Sequence, residues 1–189
     1  MKQNNNNLSI EHQFDEVIGI ILQHKSRAAR MVNEELLLTA WHVGKYVSDK
    51  LKSEIWGSKV VTQLSEYIRS KRPDIKGFSR SSIYNMVMFY DEYSSESFTT
   101  TVLHFLNSGF IQSTIGQLEN SELTSKELPH LIVQSESAQF VQTTSGQLPK
   151  ILEMTTLSNH QEILSRCRSQ EERMFYILYA NKEHLTNRN

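Results

Sequence analysis

Five cations, Arg69, Lys71, Arg72, Lys76 and Arg80, fall within twelve residues, and only Asp74 opposes them. Guanidinium and ammonium groups at this density suit phosphates, whose binding is largely electrostatic and weakens with salt. The stretch "GFSRSSIYNMVMFY" (77–90) then adds the hydroxyl of Ser81, the phenol of Tyr84 and the amide of Asn85. Such groups bond to phosphate oxygens, sugars or base edges. An ordinary solvated loop and helix face would use the same residue types, so the cluster alone is compatible with both readings.

Other chemistry finds less support. The seven histidines (12, 24, 42, 104, 130, 160 and 184) include no i, i+4 pair, and a single cysteine gives no local ligand cluster. A zinc site is therefore not expected. Cys167 sits between Arg166 and Arg168, whose charges could lower a thiol pKa. Its place on a partly buried helix face instead suits a small hydrophobe. There is no G-x-S-x-G elbow, and Gly44, Gly57 and Gly77 are isolated, so no phosphate-binding glycine loop forms. No cofactor is expected.

The elements that would position the basic cluster are helical. In residues 58–70, Val60, Val61, Leu64, Tyr67 and Ile68 share one side at about 100° per residue. Lys59, Thr62, Glu66 and Arg69 share the other. "KRPDIKG" breaks the period, with Pro73 and Gly77 as punctuation. Ser79 is placed to cap a second helix over Arg80–Tyr93, buried on the side of Ile83, Met86, Val87 and Tyr90. Ser81, Asn85 and Met88 point the opposite way, with Arg80 and Tyr84 at the margin and Glu92 near the far end of that outer face. Helix, bend, helix resembles a helix-turn-helix with a bend longer than the usual 3–4 residues.

Upstream, Phe14, Val17, Ile18, Ile21, Ala28, Met31 and Val32 are spaced as one buried face of a main packing helix, and Leu38, Trp41, Val47 and Leu51 continue it. A coiled-coil seam is the other reading of this stretch, interrupted by Glu34 and Glu35. Residues 94–147 are rich in Ser, Thr, Gln and Glu and hold three degenerate copies, "QSTIGQL", "QSESAQF" and "QTTSGQL". They predict a long irregular insertion with a short helix near Val102–Leu106; "LIVQ" and "FVQ" could instead add edge strands. After Pro149 helical spacing returns in "HQEILSRCRS" and in "EERMFYILYANKEHL", where Met174, Ile177 and Leu178 align. The expected organisation is a disordered tail (1–8), a helix-turn-helix-like region (9–93), the insertion (94–147) and C-terminal helices packed on the same domain (148–189).

The bulk numbers agree with a mainly α protein. In 189 residues there are only 7 glycines and 3 prolines, too few for a turn-dense sandwich. The net charge of −1 hides a segment of +4 over 58–90 followed by one of −6 over 91–147. The lone cysteine, an N-terminus without an apolar signal stretch and the lack of an apolar run near 18 residues favour a cytoplasmic protein with no membrane partner.

The phrases "RAARMVNEELL", "WHVGKYVSDKL", "WGSKVVTQLSEYI" and "RPDIKGFSRSSIYNMVMFY" together resemble the N-terminal domain of the bacterial YhcG-like PD-(D/E)xK nuclease family, also catalogued as domain-of-unknown-function family 1016. The similarity falls on Arg30, Trp41, Gly44, Lys45, Trp56, Gly57, Val61, Leu64, Pro73, Gly77, Phe78, Ser79, Asn85, Met86, Phe89 and Tyr90. It resumes at "QLPKIL" and at "LSNHQEILSRCRSQEERMFYILYA", where Ser158, His160, Glu172, Arg173, Phe175 and Tyr176 fit and Leu157 replaces an expected tryptophan. The resemblance implies a helical DNA-binding domain ahead of a metal-dependent nuclease half, and this chain is expected to stop before that half.

A nuclease site of that family needs one carboxylate and a second one two residues before a lysine, to hold Mg²⁺ and a water. The only Pro-Asp is Pro73-Asp74, and the only Asp/Glu-x-Lys, Asp74-Ile75-Lys76, reuses the same aspartate. The chain alone is therefore not expected to be an enzyme. Two functions stand: a DNA-binding module using Arg69, Lys71, Arg72, Lys76, Arg80, Ser81, Tyr84 and Asn85, or an interaction module forming a homodimer through the long first helix.

Overall fold

The computed structural model describes residues 3–57, 59–107, 148–183 and 185, and among these it is mainly α with no strand. The helices are α1 (Gln3–Lys52), α2 (Val60–Lys71), α3 (Arg80–Tyr93), α4 (Glu96–Asn107), α5 (Leu157–Arg166) and α6 (Gln170–Lys182), with a 3₁₀ turn at Lys150–Met154. The chain divides into two units, residues 1–35 and 36–189.

In the first unit the helical spacing is real but its expected burial is not. Every residue from Ile10 to Val32 is exposed, including Phe14, Val17, Ile18, Ala28 and Met31. The stripe follows the helix period because one side of a helix is apolar, and no element of this unit covers it. The helix also takes in residues 3–8, assigned above to a tail.

The second unit has a well-formed core. Leu37, Ala40 and Trp41 from α1, Phe89 and Tyr93 from α3, Phe98 and Val102 from α4, and Met174, Ile177 and Leu178 from α6 are buried together with Ile151 and Leu152. Trp41 meets the rings of Phe89 and Tyr90 edge-on, at 6.2 Å and 4.8 Å between centroids. Such pairs prefer this geometry because the ring edge is positive and the face negative. Gly44 permits the crossing of α1 and α3: a Cβ there would lie 2.1 Å from the Met86 carbonyl oxygen.

A second, smaller cluster of Val47, Val61 and Ile83 joins α1, α2 and α3, with Trp56, Leu64 and Tyr84 packed around it. It holds α2 on α3 and so sets the position of the segment between them. Tyr67, expected on the buried side of α2, is exposed instead.

The region assigned to an irregular insertion begins with an ordered helix. Phe98, Thr101 and Val102 of α4 are buried, and Ser95 caps it, its hydroxyl accepting from the Phe98 amide at 3.1 Å. The short helix expected near Val102–Leu106 is the second half of this longer one, whose first turns the Ser/Thr-rich composition concealed. The three repeats, "LIVQ" and "FVQ" lie partly or wholly outside the described residues.

Candidate nucleic-acid interface

The basic cluster occupies the last turn of α2, the segment 72–79 and the first turn of α3. Its local geometry follows from three residues. Arg72 ends α2, its amide donating to the Ile68 carbonyl at 2.8 Å. Gly77 has φ of +89°, a left-handed conformation that residues with a Cβ resist. Ser79 then caps α3 with its hydroxyl accepting from the Ser82 amide at 3.1 Å. Phe78 is half-buried against the main core and pins the segment between glycine and cap.

Arg69, Lys71, Arg72, Lys76, Arg80 and Ser81 are all exposed. α3 has no acidic residue in its first turn, so the positive end of its dipole adds to the cations. The Arg80 guanidinium lies over the Tyr84 ring at 5.2 Å, a cation–π contact. Tyr84 is half-buried in the smaller cluster, so it supports Arg80 more than it presents itself. Asn85 is also half-buried.

Arg72 is engaged locally. Its Nε and Nη2 donate to the two carboxylate oxygens of Asp74 at 3.0 Å and 2.8 Å. Hydrogen bonding from Arg72 lowers the Asp74 pKa below the usual carboxylate range. This pair is on the surface and its worth is small. It still places a negative charge inside the cluster.

The outer face of α3 is narrower than its sequence implied. Met88, expected outward, is half-buried against the main core, and Phe89 and Tyr93 are buried. α3 packs against α2, α4 and α5, which leaves its first turn as the open polar part. Glu92 is partnered from α6, accepting from Arg173 Nη1 at 2.5 Å and from Gln170 Nε2 at 3.3 Å.

The family model of the DUF1016 N-terminal domain matches residues 16–125. The chain belongs to the DUF1016 N-terminal domain family. The family's known context is association with YhcG-like PD-(D/E)xK nucleases. No curated protein and no solved structure matches the chain. The DUF1016 match takes in most of α1 and all of α2, α3 and α4, and so includes the whole basic cluster.

Several polar groups that the DUF1016 sequence offered for chemistry are structural. His160 is fully buried: its Nε2 donates to the Leu152 carbonyl at 2.8 Å, and its Nδ1 accepts from the Tyr93 hydroxyl at 3.1 Å. A carbonyl can only accept, which fixes this tautomer of a neutral ring. Burial lowers its pKa to about 4. Cys167 is the buried residue closing α5, and burial, with Glu172 nearby, raises its thiol pKa. Among the described residues no three His, Cys, Asp or Glu side chains gather as metal ligands, and no helix is long and apolar enough to cross a membrane.

A polar connection that sequence reasoning missed joins α1 to α3. Ser48 Oγ and Lys52 Nζ both donate to Asp91 Oδ1, at 2.6 Å and 2.7 Å. Its partners are about forty residues apart, beyond any local spacing signal. The close approach at Gly44 had no such signal either, since Gly19, a lone glycine in the same helix, has nothing within 4 Å.

Proposed function

We propose that the segment from Arg69 to Ser81 is a DNA-binding surface and that the chain serves as the DNA-binding module of a nuclease-family protein in the cytoplasm. The observation that carries this reading is the exposure of all five cations on a capped, glycine-shaped junction between two packed helices. Arg69, Lys71, Lys76 and Arg80 hold phosphates, and Ser81 donates from the first turn of α3. Arg72 joins when a phosphate displaces the Asp74 carboxylate. Tyr84, its ring beneath the guanidinium, orients Arg80, and Asn85 reaches the sugar or groove edge only if the duplex approaches closely.

The chain alone does not cleave DNA in this reading. Its one Pro-Asp and one Asp-x-Lys share Asp74, and that carboxylate is held by Arg72. A single carboxylate cannot hold Mg²⁺ and position its water as the family's reaction requires.

The test is a gel-shift series on duplex DNA with the parent and the Lys71→Ala/Arg72→Ala/Arg80→Ala chain. The triple variant should bind at least about tenfold more weakly, three lost phosphate contacts being expected to act together. Equal binding by both chains would remove this surface from consideration.

A further inference from the structure

Residues 10–31 carry an apolar seam with nothing of their own unit on it. Ile10, Phe14, Val17, Ile21, Ala28 and Met31 alternate at four- and three-residue steps, with His24 at the remaining position. This is the a/d spacing of a two-stranded coiled coil. Each of the large seam residues is exposed, Phe14 at 61% and Ile21 at 58%. Seven-residue spacing on an exposed helix is what a second helix needs, and residues 10–28 offer it a seam roughly 28 Å long.

Charge selects the occupant and its direction. The first half of the seam carries Glu11, Asp15 and Glu16, and the second half carries Lys25, Arg27 and Arg30. A second copy laid parallel would set acid against acid and base against base. Laid antiparallel, each acidic half meets a basic half.

We propose that residues 10–28 pair with the same residues of a second copy as an antiparallel two-stranded coiled coil centred on Gly19. In this register Val17 of each copy packs against Ile21 of the other, and Phe14 packs against His24. Ile18 meets its own counterpart on one flank, and Ile20 meets its own counterpart on the other. Glu11 of each copy lies beside Lys25 of the second, which forms two symmetric ion pairs. The parallel register instead leaves Ile20 beside Lys25 and Arg27 beside Val32, with no charge pair. Glu34 and Glu35, at the boundary of this unit, end the seam.

The experiment uses the full chain. Light scattering on the parent should give about twice the 21.9 kDa chain mass at micromolar concentration, and a single-chain mass up to hundreds of micromolar overturns the proposal. Direction is read by disulfide formation between separately made Glu11→Cys and Lys25→Cys chains. An equimolar mixture should cross-link, and neither variant should cross-link with itself, because like positions stand about 21 Å apart along an antiparallel pair. The buried Cys167 makes the parent a suitable control. A dimer whose mixture fails to cross-link, or a variant that cross-links with itself, overturns the antiparallel register. Lys25→Glu should weaken the dimer roughly tenfold, and adding Glu11→Lys to it should restore the parental mass. These readings do not involve DNA, so they stand or fall separately from the basic surface.

Discussion

Two stretches of the same helix, α1, meet different fates. From Ile10 to Val32 its apolar stripe is exposed throughout, whereas Leu37, Ala40, Trp41 and Val47 are buried to within 1%. The helical period is present in both. What differs is the presence of a complementary surface: α3 offers the second stretch Phe89 and Tyr90, and its backbone at Met86 fits over Gly44. Periodicity reports that a helix has an apolar side. It does not report what lies against that side.

Substitution should separate the two stretches sharply. Trp41→Ala removes a fully buried ring and should lower stability by about 3–5 kcal/mol in urea titrations. Phe14→Ala, in the same helix, should change the stability of residues 36–189 by less than about 0.5 kcal/mol at low protein concentration. Comparable losses at both positions would break the contrast.

The core of the second unit should also sense acid. His160 is neutral when folded, with a pKa lowered to about 4, against roughly 6.5 in an unfolded chain. The unfolded chain therefore binds the extra proton between those values, and stability rises with pH across that window. It is fully present above about pH 6.5, and about 3 kcal/mol of it is lost as pH falls through 4. His160→Gln should flatten this dependence even if it lowers overall stability. An unchanged slope would contradict the buried neutral ring.

These cases show what could be read in advance. Residues 58–70 and 80–93 declare their helices through spacing, and Gly77 and Ser79 declare the turn and cap through chemistry that acts within four residues. The structure has α2 at Val60–Lys71 and α3 at Arg80–Tyr93. The ends of α4 were not legible because its buried Thr101 reads as polar, and the Ser/Thr-rich context outweighs Phe98 and Val102. At the site, the five cations were legible as a cluster. The engagement of Arg72 by Asp74 depends on the fold of the turn, and the pairing of Glu92 with Arg173 spans 81 residues. Neither has a local signature.

The Arg72–Asp74 pair gives the smallest expected effect. Asp74→Asn removes a negative charge from the basic junction and frees Arg72, so duplex DNA should bind a few-fold more tightly at low salt. Weaker binding would mean that Asp74 serves the surface by shaping the turn.

That this junction holds phosphates is tested by the salt dependence of duplex binding, read by fluorescence anisotropy. Each phosphate contact contributes about −0.9 to the slope of log K against log salt concentration. The parent should show a slope of about −4, and the Lys71→Ala/Arg72→Ala/Arg80→Ala chain a slope shallower by about 2 to 3. The same slope in both chains, or no binding by the parent at low salt, would contradict the account.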